Sequence, residues 1–405
     1  MKVIIIGGGA AGFFAAIHAK INHPLAEVLI LEKSKKLLSK VKVSGGGRCN
    51  VTNGCTNIKE LAQNYPRGAK QLRKAFGFFS TIDTMKWFED RNVPLVIQED
   101  NCVFPVSQNS QSIIDCFMNE TKKLGVVIRI AAEVVSIDKN QNKFNLVLAS
   151  QESLTCTHLI VTTGGYSKSE KFNWIKKLGI AIVEPVPSLF TFNMPSEKSK
   201  ELMGIVVENV SASIQSTKLN AEGPLLITHW GMSGPAILKL SAFGARILFE
   251  KKYQFTVAIN WLNLQDENDI RLKLDTLFKA NRLKQIVNVR FPEIPQRLWY
   301  YFLDKINIPS TKIIDQLSQK EKNKLINLLA NDTYKVEGKT TFKEEFVTAG
   351  GVALDEVSFK TMQSKKIEGL YFAGEVLDVD GVTGGYNFQA AWTTAYIAGK
   401  LLPAN

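Results

Sequence analysis

The chain has 405 residues, 45% hydrophobic and 22% charged, the balance of a soluble globular protein with room for two or three domains. No apolar run reaches the length of a membrane span, and five cysteines without a C-x-x-C pattern argue against a disulfide framework or a zinc site. A reducing cytoplasm, no membrane and no metal are therefore expected, and the formal net charge of +12 points to a polyanionic partner, with RNA to be considered.

Chain order begins with Lys2-Val3-Ile4-Ile5-Ile6 and then Gly7-Gly8-Gly9-Ala10-Ala11-Gly12, which predicts a strand, a glycine turn and a helix over 10–20. In a dinucleotide-binding unit Gly7 makes the tight turn, Gly9 lets backbone approach a pyrophosphate, and Gly12 lets the helix pack close to the sheet. The helix N-terminus then faces the phosphates. A second strand over 26–31 ends on Glu32, placed to accept hydrogen bonds from an adenosine ribose and to repel a 2′-phosphate, so FAD or NAD is expected there rather than NADP. A lysine-rich connection follows. Ser44-Gly45-Gly46-Gly47-Arg48-Cys49-Asn50 is then a loop where backbone comes close to something.

Residues 58–124 read as mostly helical, with a short strand over 93–98 and a turn at Phe104-Pro105. Alternating apolar runs predict strands over 126–130, 133–139, 143–149 and 157–162, the last ending in Thr162-Thr163-Gly164-Gly165-Tyr166. Residues 188–255 are strand-rich. Residues 266–330 turn helical, with Ser318 and Glu321 spaced as a capping box. Arg271, Lys273, Lys279, Arg282, Lys284, Arg290 and Arg297 make this part basic, either as a nucleic-acid surface or as a solvated helix face. From Phe346 the apolar, glycine-rich texture returns, with a strand over 369–373, Gly374-Glu375, and a last helix over 387–402. The order is that of an α/β nucleotide-binding fold split by an insertion. We expect a Rossmann-like domain over 1–188 and 342–405, a β-rich insert over 189–260 and 331–341, and a helical subdomain over 261–330.

Two further glycine-bearing strand ends, at Thr163-Gly164-Gly165 and at Gly374-Glu375, complete the pattern of a two-dinucleotide-type fold, with Glu375 placed to accept from ribityl hydroxyls. Gly384-Gly385-Tyr386-Asn387-Phe388 opens the last helix, whose amides can stabilise negative charge on a reduced flavin. These residues, with 44–53 (SGGGRCNVTN), 228–235 (THWGMSGP), 348–352 (TAGGV) and 371–389 (YFAGEVLDVDGVTGGYNFQ), closely resemble the HI0933-like (BaiN/RdsA) family of FAD-dependent oxidoreductases. The resemblance covers nearly the whole chain. It implies a two-dinucleotide-type Rossmann fold for FAD with an inserted β-barrel-like plus helical domain, and NADH or NADPH as electron donor. It also implies reduction of an activated C=C, either in 23S ribosomal RNA uridine to give dihydrouridine or in a steroid-like enone. Cofactor contacts are expected from Gly7, Gly9, Ala11, Gly12, Glu32, Lys33, Gly47, Arg48, Cys49, Asn50, Thr163, Gly164, Gly165, Gly374, Glu375, Gly385, Tyr386, Asn387 and Phe388. Asn101-Cys102-Val103 and Ser34-Lys35 stand where the family usually has Gly-Arg, which touches the substrate mouth rather than the flavin site.

The reaction needs hydride from the flavin and a proton from an acid. Cys49 is one candidate catalytic residue, or a small thiol filling a tight loop. His229 is the other, or a histidine bonded to structure. Trp230 stacks on a base or packs. A competing class is a flavin disulfide reductase using Cys49 and Cys55, although the spacing is one residue too long and no second nicotinamide-binding glycine motif follows. A flavin-containing RNA-modifying scaffold without its own reductase activity is a third. The reading that results is a cytoplasmic FAD-dependent C=C reductase acting on ribosomal RNA, with small enones as the alternative substrate.

Overall fold

A computed structural model of the chain describes residues 1–340 and 347–403. The chain divides into two compact units, Met1–Ser188 with Lys343–Asn405, and Leu189–Phe342. The expected boundary at 341 and 342 and the return of glycine-rich texture at Phe346 lie outside the described residues.

The first unit is built on a five-stranded parallel sheet. Its strands run in the order Leu370–Phe372, His158–Val161, Lys2–Ile6, Glu27–Leu31, Val127–Arg129. The central strand reads Lys-Val-Ile-Ile-Ile because parallel strands are covered on both faces, and Val3, Ile4 and Ile5 have no exposed surface. Val3 aligns with His158 and Leu159 with Leu370, which puts the ends of Lys2–Ile6, His158–Val161 and Leu370–Phe372, and hence three glycine turns, at one edge. The helix Ala10–Asn22 and the last helix, Tyr386–Ala398, meet at Gly399, where a Cβ would sit 2.7 Å from His18 Cβ and 2.9 Å from Ala15 O. Phe14, Trp87, Phe117 and Trp392 interlock beneath them. His18, with 6% exposure, closes this cluster against Phe14 and Tyr396, and burial together with the charges of Arg91 and Lys400 lowers its pKa to about 3.

Two antiparallel three-stranded sheets flank the core. One joins Val134–Asn140, Lys143–Leu148 and Ser153–Cys156, the last a strand the sequence reading missed. The other joins Thr52–Asn53, Cys102–Pro105 and Leu95–Ile97. Phe104 and Pro105, expected in a turn, therefore end a strand, and the chain turns just after them. Pro105 fits there because a strand end does not require its missing N–H.

The second unit holds a seven-stranded antiparallel sheet in the order Asp332–Glu337, Gln254–Asn260, Val206–Ile214, Asn220–Thr228, Gly231–Ser233, Thr191–Asn193, Lys339–Thr340. Residues 188–255 are rich in strands, and they also hold two helices that the sequence did not announce. Pro235–Phe243 and Ala245–Glu250 are helices, the first started by Pro235 at its N-terminal turn, a position where the absent N–H costs nothing. Three longer helices, Glu267–Lys279, Gln296–Lys305 and Gln319–Asn331, bury Ile270, Leu274, Trp299, Phe302, Leu325 and Leu329 in one core with Trp261. Ser318 and Glu321 form the capping box expected from their spacing. Asp332 is 3% exposed, and its carboxylate accepts from Trp261 Nε1 at 3.0 Å, Tyr334 Oη at 2.5 Å and Lys305 Nζ at 2.6 Å.

Candidate functional site

The three glycines of the first turn divide their roles by what surrounds them. A Cβ on Gly7, whose φ is +117°, would lie 2.5 Å from Thr162 O, and one on Gly12 would lie 1.8 Å from Gly7 O, so both are glycine because backbone already fills the space. A Cβ on Gly9 would meet nothing within 4 Å. That open direction at the start of the helix Ala10–Asn22, which carries no side-chain cap, suits a phosphate group. Gly8 N and Ser34 N each donate to the Glu32 carboxylate at 2.8 Å, fixing its orientation.

Beside Glu32 a cavity of about 370 Å³ opens, lined among others by Gly7, Glu32, Lys33, Thr163, Tyr166 and Trp174. Its walls mix aliphatic and aromatic side chains with charged ones, Glu133, Glu170, Lys171 and Lys177 besides Glu32 and Lys33, and an adenosine would find there both a ring face and a ribose acceptor. Lys33 Nζ stands 5.6 Å from the Tyr166 ring. Ala132 and Val134, at the start of the strand Val134–Asn140, also wall it, and neither they nor Trp174 was singled out in the sequence. Ala11 lies below the turn, where its methyl would be 2.8 Å from a Cβ on Gly374, so the two small residues set the approach of two strand ends.

Further along, Gly164 and Gly374 take φ of +74° and +76°. A Cβ on Gly165 would be 2.8 Å from Thr348 Oγ1 and 3.0 Å from Glu375 Oε1, so only glycine fits beside both oxygens. Glu375 accepts from Lys40 Nζ at 2.5 Å and Thr348 N at 3.2 Å. Thr348 Oγ1 is buried with no hydrogen-bond partner among the described residues, the kind of group a bound hydroxyl satisfies. Lys40 and Thr348 were not expected from sequence; both join the cluster only through tertiary packing.

The loop 44–50 turns through Gly45, Gly46 and Gly47 with φ of +57°, +68° and +85°, and nothing lies within 4 Å of a Cβ on Gly46 or Gly47. Arg48 is held over the Phe104 ring at 4.1 Å, with Nε donating to Gly45 O and Nη1 to Gln108 Oε1. Asn50 Oδ1 accepts from Val103 N at 3.2 Å, tying the loop to the strand Cys102–Pro105. Cys49 has φ of +64° and no exposed surface, and burial pushes its thiol up to about 12. The Cys49 thiol therefore lies inside the loop 44–50, not on its surface. Cys55 is half-buried, its Sγ donates to Asn57 O, and its thiol is also raised by burial. Neither thiol has the lowered pKa that disulfide exchange uses.

Gly384 and Gly385, with φ of +118° and +85°, lead into the last helix, whose first turn also lacks a side-chain cap. Asn387 does not offer its amide outward. Its Oδ1 accepts from Gly381 N at 2.8 Å and its Nδ2 donates to Gly381 O at 2.9 Å. Tyr386 O accepts from Tyr65 Oη at 2.7 Å, and Phe388 stacks on Trp392 at 9°.

In the inserted unit His229 is exposed in the tight turn between Asn220–Thr228 and Gly231–Ser233, its ring edge-on to Trp230 at 4.3 Å. Trp230 Nε1 donates to Thr191 Oγ1. The basic helical stretch is less free than its composition suggests. Arg271 bonds Glu267 and Asn323, Arg282 forms a two-point pair with Asp315, Arg290 bonds Gln296, and Arg297 bonds Glu201 O. Lys273, Lys279 and Lys284 are exposed, as are Arg282 and Arg297 with their partners. Among the described residues no helix is long and apolar enough to cross a membrane, and no group of three His, Cys, Asp or Glu could hold a metal.

The family model described as HI0933-like protein Rossmann domain matches residues 1–401. Ribosomal RNA dihydrouridine synthase of Escherichia coli (strain K12) is 30% identical over 415 residues, covering 99% of this chain and 98% of the relative. The 3-dehydro-bile acid delta(4,6)-reductase of Clostridium scindens is 26% identical, covering 98% of each. Among solved structures, the 3-ketosteroid-delta4-(5alpha)-dehydrogenase of Rhodococcus jostii RHA1 superposes with a TM-score of 0.50 at 10% identity, covering 98% of this chain and 97% of that one, a likeness of fold.

Proposed function

The chain belongs to the HI0933-like family of FAD-dependent oxidoreductases, and from that premise we propose that it reduces an activated C=C in uridine of 23S ribosomal RNA, drawing electrons from NADH or NADPH. The observation that carries the substrate half is the 30% identity, end to end, with the Escherichia coli ribosomal RNA enzyme. The excess of positive charge agrees with an RNA substrate.

Bound FAD supplies the two-electron hydride chemistry. The chain's own groups hold it: the open side of Gly9 admits the pyrophosphate, Glu32 takes the ribose hydroxyls, and the cavity of Lys33, Tyr166 and Trp174 takes the adenine. Glu375 and Thr348 Oγ1 take ribityl hydroxyls beside Gly164 and Gly165, with Lys40 keeping the Glu375 carboxylate in place. The uncapped first turn of Tyr386–Ala398 offers amide dipoles to negative charge. With Cys49 enclosed, His229 becomes the candidate for holding and releasing the proton, its exposed imidazole oriented by Trp230.

Replacing Gly9 with leucine is expected to leave the fold intact, because its Cβ direction is open, and to give colourless protein. A chromosomal deletion is expected to remove one dihydrouridine from 23S ribosomal RNA by mass spectrometry, restored by wild type and not by Gly9→Leu. Unchanged ribosomal RNA in the deletion strain would reject the substrate. The Clostridium scindens relative favours a second reading, reduction of a steroid-like enone. The two separate by salt: RNA binding weakens steeply as ionic strength rises, whereas binding of a neutral enone does not.

A further inference from the structure

Asp380 has no exposed surface, yet both of its carboxylate oxygens are satisfied within the nucleotide-binding unit. Arg67 Nε donates to Oδ1 at 2.5 Å, Arg67 Nη2 donates to Oδ2, and Ser188 Oγ donates to Oδ2 at 2.6 Å. Two residues of one short segment, Asn64 and Tyr65, hold the chain just beyond: Val382 N donates to Asn64 O at 2.9 Å, and Tyr65 Oη donates to Tyr386 O at 2.7 Å. Gly68 completes the fit, since a Cβ there would lie 2.7 Å from Val379 Cγ2. The loop 379–386, which ends in Gly384 and Gly385, is thus gripped on one side by residues 64–68 and tied internally by Asn387 to Gly381.

From this arrangement we propose that the buried Arg67–Asp380–Ser188 cluster is a positioning device that sets where the glycine loop and the first turn of the last helix stand relative to the flavin. The inference rests on the FAD reading above. None of the three side chains lines the adenosine cavity, and none is asked to touch the cofactor. A bidentate guanidinium–carboxylate pair fixes direction as well as distance, which a single hydrogen bond does not. Burial, with the neighbouring Asp378 charge, raises the Asp380 pKa, while the Arg67 charge and the hydrogen bonds from Arg67 and Ser188 oppose that rise, so the carboxylate depends on both partners staying in place. The loop it steadies carries positive-φ glycines whose freedom would otherwise let the helix N-terminus wander. Amides fixed in place before charge develops stabilise it more than amides that must reorganise.

The test compares fold with flavin. Arg67→Lys keeps the charge and loses the two-point fork, Ser188→Ala removes only a hydroxyl, and Asp380→Asn is the severe variant. Each full-length protein is stripped of FAD, refolding is followed by circular dichroism and thermal melting, and reconstitution is followed by the flavin absorption spectrum, the FAD Kd and the midpoint potential. Arg67→Lys is expected to melt close to wild type while weakening FAD about tenfold, lowering the midpoint potential and altering the bound-flavin spectrum, with Ser188→Ala weaker in the same direction. If Arg67→Lys and Ser188→Ala bind FAD with wild-type Kd, spectrum and potential, the cluster is only a staple of the fold and the proposal is overturned, whether or not Asp380→Asn folds. If wild type itself takes up no FAD, the cofactor reading fails first and takes the proposal with it.

Discussion

The two units are built on opposite uses of the side chain. In the nucleotide-binding unit the candidate site is defined by where side chains are missing: Gly9, Gly46 and Gly47 face open space, while Gly7 and Gly12 exist because backbone occupies the place of a Cβ. In the inserted unit the organising feature is a side chain under full load, the Asp332 carboxylate with three donors inside a core of Trp261, Trp299 and Phe302. A site made of backbone tolerates no addition at its packed glycines, and among its open ones it tolerates a small addition at Gly9 but not without strain at Gly46 and Gly47, whose φ is positive. A core made around a buried charge tolerates no subtraction.

The comparison breaks most sharply at Gly12. Adding even a methyl puts Cβ 1.8 Å from Gly7 O, so Gly12→Ala is expected to destabilise the nucleotide-binding unit by several kcal/mol and to yield little soluble flavoprotein, in contrast to the mild effect of Gly9→Leu on folding. Equal melting temperatures for the two glycine variants would show that the distinction between packed and open glycines is not real. Next comes Asp332→Ala, which leaves Trp261 Nε1 and Tyr334 Oη buried without an acceptor and Lys305 without its carboxylate; a loss of about 3–5 kcal/mol is expected, read by urea unfolding. FAD content of the folded fraction should stay at the wild-type level, and a colourless Asp332→Ala would contradict the separation of roles.

The smallest effect sharpens the comparison by placing a titrating group in the nucleotide-binding core. His18 has a folded pKa of about 3 against 6.5 unfolded, so between those values the unfolded chain holds the extra proton. Its contribution is complete above pH 6.5 and is lost as the pH falls towards 3, with a slope of up to about 1.4 kcal/mol per pH unit. Urea unfolding at pH 7 and pH 5 measures this slope, and His18→Phe, which keeps a ring against Phe14 and Tyr396, should flatten it. A slope unchanged in His18→Phe would assign the acid sensitivity to other groups.

What could be read beforehand follows the same division. The parallel sheet and the glycine turns were legible because each rests on a local pattern, a β-branched run followed by glycines at fixed spacing, and local patterns survive in one dimension. The capping box of Ser318 and Glu321 was legible for the same reason. Whatever depends on distant residues was not. Lys40 finds Glu375 across the fold, and Arg67 finds Asp380 across 313 positions, with nothing in the intervening sequence to pair them. Cys49 shows the converse. Its neighbours spell a cofactor loop, but whether a side chain in such a loop points out or in is set by its φ of +64° and the packing beneath it. Helices at 235–250 escaped because their apolar residues have no clear polar face to betray a helical period.

The parallel sheet carries a consequence for how the protein is made. Its edge strand Leu370–Phe372 pairs with His158–Val161, and the helix Tyr386–Ala398 packs on Ala10–Asn22, so the first and last parts of the chain must meet. A ribosome adding about 5–20 residues per second needs roughly 10–40 s to travel from one of those paired strands to the other. During that interval the nascent first half exposes the open flank of His158–Val161, an unpaired apolar strand of the kind that recruits chaperones or neighbouring chains. The inserted unit, contiguous in sequence, is complete on the ribosome before its host is. Cofactor capture is therefore set to follow the emergence of Leu370–Phe372 and Tyr386–Ala398, which complete the nucleotide-binding unit.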